Sequence, residues 1–148
     1  MRKWVVLALL FAACGREETR APSPEVSRGP LLYVTNERSG NITVVDTSTD
    51  RVVETICVGA RPRGITFSGD GSMLFAALTD LPGRSGTITP GSKGIAAIDP
   101  RTHKVVQLYD GGSDPETVAA NHDGSRLYVS NEDAGTATVI DTKTAKPV

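Results

Sequence analysis

The feature that most constrains this chain is that one stretch is written three times. Leu32-Tyr33-Val34-Thr35-Asn36-Glu37 recurs as Leu127-Tyr128-Val129-Ser130-Asn131-Glu132, and Thr43-Val44-Val45-Asp46-Thr47 recurs as Thr138-Val139-Ile140-Asp141-Thr142. A middle copy reads Leu74-Phe75-Ala76-Ala77, then Ala96-Ala97-Ile98-Asp99-Pro100. Tyr33 to Phe75 is 42 residues, as is Asp99 to Asp141, whereas Asp46 to Asp99 and Asp70 to Asp123 are 53. The second copy therefore carries an 11-residue insertion, placed between Thr79 and Lys93. A unit of this size cannot bury its apolar faces alone and must stack on its neighbours.

Each unit divides into short β-branched and aromatic runs separated by turn chemistry, which favours strands over helices. Arg63-Gly-Ile-Thr-Phe67 precedes the turn Ser68-Gly-Asp-Gly71, and Asp46-Thr-Ser-Thr-Asp50 turns into Val52-Val-Glu-Thr-Ile-Cys-Val58. Apolar residues occur on both faces of the runs, as they must where sheets pack on both sides. Four short strands in about 42 residues is the size of a propeller blade. The expected fold is all-β: a β-propeller of four-stranded antiparallel blades. Residues 31–59 form a partial first blade, 60–112 a second blade with its insertion at 79–93, and 113–148 an incomplete third. That is about two and a half to three blades, an incomplete ring against the four to eight that close one. The missing blades are expected from the same longer chain or from self-assembly.

The first thirty residues have a different character. Met1-Arg-Lys3 is basic, Trp4 to Ala13 is unbroken apolar and Ala12-Ala13 are small, the pattern of a secretory signal over residues 1–13. The apolar run is too short to span a bilayer, which takes about 20 helical residues. Residues 15–30 are polar and proline-rich and read as a flexible tether. The full chain has a formal charge of −1; without Arg2 and Lys3 the balance is 14 − 17 = −3. Such a chain carries no electrostatic footprint for nucleic acid.

Two resemblances follow from these residues. Phe11-Ala12-Ala13-Cys14 resembles the bacterial lipobox, with Phe11 where Leu is usual. This implies lipidation at Cys14 as the first mature residue, and Gly15 after it resembles the form sent to the outer membrane. Tyr33-Val-Thr-Asn36 resembles the signature of the YVTN family of β-propeller repeats, together with Asp46-Thr, Val58-Gly, Pro62-Arg-Gly-Ile and Asp70-Gly. Gly112-Ser-Asp-Pro-Glu116 and Asn131-Glu-Asp133 look like the propeller proteins encoded beside quinone-dependent alcohol oxidation systems. The resemblance covers residues 31–148. It implies an exported, lipid-anchored, non-enzymatic binding or accessory protein of a bacterial cell envelope or periplasm. Its alternatives are a lactonase-like hydrolase whose catalytic residues lie in missing blades, and an accessory factor of periplasmic alcohol oxidation.

Propellers bind ligands at the channel mouth, where the loops entering each inner strand meet those joining second to third strands. Here that face takes Gly59 to Arg63, Gly111 to Glu116, the 79–93 insertion, and the loops Glu37–Asn41 and Glu132–Gly135. The candidate ligand-binding residues are Arg61, Arg63, Asp114 and Glu116, for an unidentified protein or small molecule. The competing reading is that they are inter-blade ion pairs and turn residues. Arg63 and Glu116 occupy equivalent positions, 53 residues apart and each just after a proline. His103 and His122 fall in turns on the opposite face and read as exposed, not as metal ligands. Asp46, Asp99 and Asp141 recur in hairpin turns, where a carboxylate bonds the backbone two residues on. Cys57, in Thr-Ile-Cys-Val, reads as a packed thiol. No nucleophile elbow, phosphate loop or metal-spaced cluster is present, so no catalytic residue, metal site or cofactor is assigned.

Overall fold

A computed structural model describes residues 29–59, 61–79 and 94–148. The signal segment, Cys14 and the tether up to residue 28 lie outside the described residues, as do Ala60 and residues 80–93 of the insertion. The described residues contain strands and turns and no helix. Three antiparallel sheets follow one another along the chain.

The first sheet has β1 (Leu31–Asn36), β2 (Asn41–Asp46) and β3 (Arg51–Cys57) in that order. The second holds β4 (Arg61–Phe67), β5 (Leu74–Thr79), β6 (Gly94–Asp99) and β7 (Lys104–Tyr109). The third holds β8 (Pro115–Ala120), β9 (Arg126–Asn131), β10 (Thr136–Asp141) and β11, only Lys146–Pro147. The repeat arithmetic makes β1, β5 and β9 equivalent, so among the described residues the first sheet has no strand corresponding to β4 and β8. The sheets do not close into a ring.

Register irregularities also repeat. Bulges fall between Val44 and Val45 in the first sheet and between Ala97 and Ile98 in the second, 53 residues on. The turns after β2 and β6 carry the expected carboxylate bond to the backbone two residues on, and in the turn after β10 it reaches three residues on. Asp46 Oδ1 accepts from Ser48 N at 2.8 Å, Asp99 Oδ1 from Arg101 N at 2.8 Å, and Asp141 Oδ1 from Thr144 N at 2.8 Å. Each of these turns ends on a left-handed non-glycine residue: Asp50 (φ 54°), His103 (φ 54°) and Ala145 (φ 57°).

The core lies between sheets. One cluster joins Ile42, Val44, Ile56 and Val58 of the first sheet region to Leu74, Ala76, Leu78, Ala96 and Ile98 of the second. A second joins Phe75, Ala77, Ile95, Ala97 and Tyr109 to Val118, Leu127, Val129 and Ile140 of the third. Every residue of β5 is buried, because the middle sheet is covered on both faces. This is why the period-2 alternation expected of a half-exposed strand is missing there.

Candidate functional site

The candidate site is built where two strands depart from regular pairing. Pro62 pairs with Leu78 and Ile65 with Ala76, so Arg63 and Gly64 bulge out of the ladder. Pro115 pairs with Asn131 and Thr117 with Ser130, so Glu116 bulges in the equivalent place. A bulge bends the strand and re-aims the side chain. Gly64 completes the approach: a Cβ there would lie 2.7 Å from Thr117 Cα and 2.9 Å from Glu116 O. With glycine, β8 closes on β4, and Arg63 meets Glu116.

The result is a five-member charge cluster drawn from all three sheets. Arg63 Nη1 contacts Glu116 Oε2 and lies 2.8 Å from Glu132 Oε2, and its Nε lies 3.3 Å from Glu37 Oε1. Arg61 Nη2 contacts the same Glu37 oxygen. Glu37 follows β1, the arginines sit on β4, and Glu116 and Glu132 belong to the third sheet. The Arg63 carbonyl also accepts from Thr35 Oγ1 at 2.9 Å. Desolvation works to raise the Glu37 carboxyl, but hydrogen bonds and charge from Arg63 and Arg61 outweigh it and hold its pKa below the ordinary value. Three carboxylates against two guanidiniums leave the cluster one unit negative.

Of the four residues expected at this face, the structure brings Arg61, Arg63 and Glu116 together. Asp114 stands apart: it takes a left-handed conformation (φ 47°), and its carbonyl accepts from Glu132 N at 3.2 Å. Its side chain makes no ion pair among the described residues. Glu37 and Glu132 were assigned only to their loops by sequence; here they are direct partners of the arginines.

Asn131 was not singled out as a site residue, yet it holds the loop that carries Asp114 and Glu116. Buried at the end of β9, it donates through Nδ2 to Gly111 O at 2.7 Å and Ser113 O at 3.1 Å, and its Oδ1 accepts from Thr138 Oγ1 at 2.9 Å. This amide orientation is fixed by its surroundings, since carbonyls can only accept. Gly112 sits between them at φ +93°, where a Cβ would press on the Asn131 amide at 2.9 Å. Asn36, its equivalent, donates instead to Asn41 Oδ1 at 2.8 Å and Thr43 Oγ1 at 2.7 Å. The sequence signal was the recurrence of Asn at 36 and 131 with Leu78 in the middle copy.

Two expectations are corrected. His103 is half-buried: its Nε2 lies 3.4 Å from Tyr33 Oη, and the two rings meet edge-on at 6.0 Å between the first and second sheets. The reason is the left-handed turn position, which folds the ring back over the neighbouring sheet. Cys57 is exposed, because Ile56 takes the core-facing position at the end of β3. His122 is exposed, as expected. Among the described residues no group of three His, Cys, Asp or Glu is placed to hold a metal ion.

Comparison with solved structures places this geometry in a known architecture. Hydrazine synthase of Kuenenia stuttgartiensis superposes with a TM-score of 0.66 at 22% identity, over 85% of this chain and 32% of that one. Dihydro-heme d1 dehydrogenase NirN in complex with DHE superposes with a TM-score of 0.61 at 20% identity, over 86% of this chain and 26% of that one. The sheets are propeller blades. No protein-family model and no curated protein matches the chain. The chain thus spans about a third of the first neighbour's length and about a quarter of the second's. At this identity the likeness concerns the fold alone.

Proposed function

We propose that this chain is part of an exported, lipid-anchored propeller protein of YVTN type that binds a ligand at its channel mouth and is not itself an enzyme. The observation that carries the binding reading is the charge cluster. Arg61, Arg63, Glu37, Glu116 and Glu132 come from three separate blades and converge on one mouth. The same contacts are inter-blade ion pairs, as the competing structural reading expects. What favours ligand binding is that the carboxylates stay open to solvent, with the side chains of Glu37, Glu116 and Glu132 42%, 40% and 60% exposed. Both signs are present and partly exposed, which suits a ligand carrying complementary charges. The YVTN assignment rests on Tyr33-Val-Thr-Asn36 and its recurrence, and the anchor on Phe11 to Cys14.

Thermal unfolding of the chain with putrescine, succinate and glutamate as cationic, anionic and zwitterionic probes tests the mouth. A ligand at a hundred times its Kd stabilises by about 2.7 kcal/mol. The expected result is a shift with one probe that Arg63→Gln abolishes; no shift with any of the three would sink the small-ligand reading. The anchor is tested by mass spectrometry of the mature N-terminal peptide. Lipidation occupies the Cys14 sulfur as a thioether, whereas an unmodified or oxidised Cys14 would refute it.

A further inference from the structure

The charge cluster borders a polar group that none of its pairings uses. Glu37, Thr79 and Glu132 stand at one repeat position, 42 and 53 residues apart, at or one residue past the ends of β1, β5 and β9. The two glutamates pair with Arg63. Thr79 lies opposite Arg61 in the β4–β5 ladder, so the two side chains leave one face of the sheet as close cross-strand neighbours. Arg61 in turn contacts Glu37. Thr79 is 0% exposed, and its hydroxyl makes no hydrogen bond among the described residues. A buried hydroxyl without a partner costs stability that a methyl group in its place would not. Such a group beside a charge cluster points to a ligand atom as its partner.

The charge balance decides the ligand's class. Each arginine is already matched, Arg61 by Glu37 and Arg63 by Glu37, Glu116 and Glu132. The arginines are also the more enclosed partners, with side chains 24% and 18% exposed. The uncompensated charge is therefore a carboxylate's. At this end of the sheets the described residues add Asp110, Asp114 and Asp133 to the three glutamates, against Arg38, Arg61 and Arg63, or 3 − 6 = −3. The turns at the opposite end, 46–51, 68–72, 99–104, 121–126 and 141–146, hold six acidic and six basic residues. A field of one sign at one end draws ligands of the other.

We propose that the cluster binds a ligand with a primary ammonium group and no carboxylate, the glutamates neutralising its charge and the Thr79 hydroxyl accepting one of its N–H groups. This rests on the ligand-binding reading above and deepens it by naming the ligand's class. An ammonium has three donors and no acceptor, which suits carboxylates and a hydroxyl oxygen. An anion would find the guanidiniums taken and the glutamates repelling it.

Isothermal titration calorimetry of the full chain with putrescine, succinate and glutamate tests this. Putrescine should bind, and the other two at least about tenfold more weakly. Thr79→Val keeps the shape and removes the hydroxyl, so it should weaken putrescine about tenfold, while Thr79→Ser should retain the affinity. Without ligand, Thr79→Val should raise Tm, which separates lost binding from lost folding. Preference for succinate or glutamate would overturn the amine class and leave a ligand site in place. Binding of none of the three would overturn this inference together with the reading beneath it. Putrescine affinity indifferent to Thr79→Val, or a Tm that does not rise in that variant, would overturn the part given to Thr79.

Discussion

Asn131 offers the sharpest test of how the mouth is held. Its amide is buried and makes three hydrogen bonds, donating to Gly111 O and Ser113 O and accepting from Thr138 Oγ1. Asn131→Ala removes all three and leaves the Gly111 carbonyl buried without that donor. With each bond contributing about 1 kcal/mol net, and orphaned groups costing about 1–3 kcal/mol, the expected loss is about 2–4 kcal/mol. In a domain of this size that corresponds to about 8 °C or more in Tm. Asn131→Asp is the decisive variant, because it keeps the volume but replaces the donor with an anion facing two carbonyls. At neutral pH it should cost more than alanine by about 1–2 kcal/mol, the charge being buried and unpaired. The site would raise that aspartate's folded pKa above its unfolded value. The variant is therefore least damaged below the unfolded pKa and loses stability as pH rises through the folded one. Urea denaturation at pH 4 and pH 7 reads both the size and the sign. An Asn131→Asp protein as stable as the parent at pH 7, or one that gains stability with pH, would refute the assignment of Asn131 as the donor that holds the loop.

Three further outcomes follow from the same geometry. Arg63→Gln should loosen all three sheets at the mouth, seen as faster amide exchange in β1, β4 and β8 together; exchange confined to β4 would show that the cluster does not tie the blades. Asp70 is held at about 2 by the Ser68 hydroxyl and by the backbone amide and hydroxyl of Ser72, below the ordinary 3.8. A carboxylate with a depressed folded pKa contributes above its unfolded pKa and loses that contribution as pH falls toward the folded one. Tm should therefore drop between about pH 4 and pH 2 by less in Asp70→Asn than in the parent, as thermal scans across that range will show. Ala145 holds φ 57°, a conformation costing an L-residue about 1–2 kcal/mol. Ala145→Gly should gain up to about 1 kcal/mol after glycine's extra unfolded-state entropy, measured as a higher urea midpoint. The same change at His103 should gain less, since it forfeits the Tyr33 contact.

The propeller was legible because its information is periodic. Spacings of 42 and 53 residues fixed the unit, and turn aspartates fixed where strands reverse. The meeting of Arg63 with Glu116 was legible in outline for the same reason, since the two sit at one repeat position. What the sequence did not show was how charges pair across sheets. Glu37 and Glu132 are themselves equivalent, at the ends of β1 and β9, yet both reach Arg63. That convergence depends on the bulges beside Pro62 and Pro115 and on the close passage allowed by Gly64, none of which strand periodicity encodes. His103 and Cys57 were misplaced for a related reason: a left-handed turn and a strand end decide their exposure, and residue type alone does not.

The middle blade shows how one repeat position can stabilise the mouth in two chemical ways. In the third blade, Asn131 bonds the carbonyl of Gly111, which opens the loop before β8. In the second blade the equivalent residues are Leu78 and Val58, and both are buried in one apolar cluster. The polar tie has been exchanged for an apolar contact, with Leu78 where the third sheet has Asn131 and Val58 where the chain has Gly111 before β8. The exchange falls where the insertion leaves β5. Thr79, the next residue, is fully buried, and its hydroxyl makes no hydrogen bond among the described residues. The residues before β4 are thus held by packing of Val58 with Leu78, where those before β8 are held by the Asn131 amide.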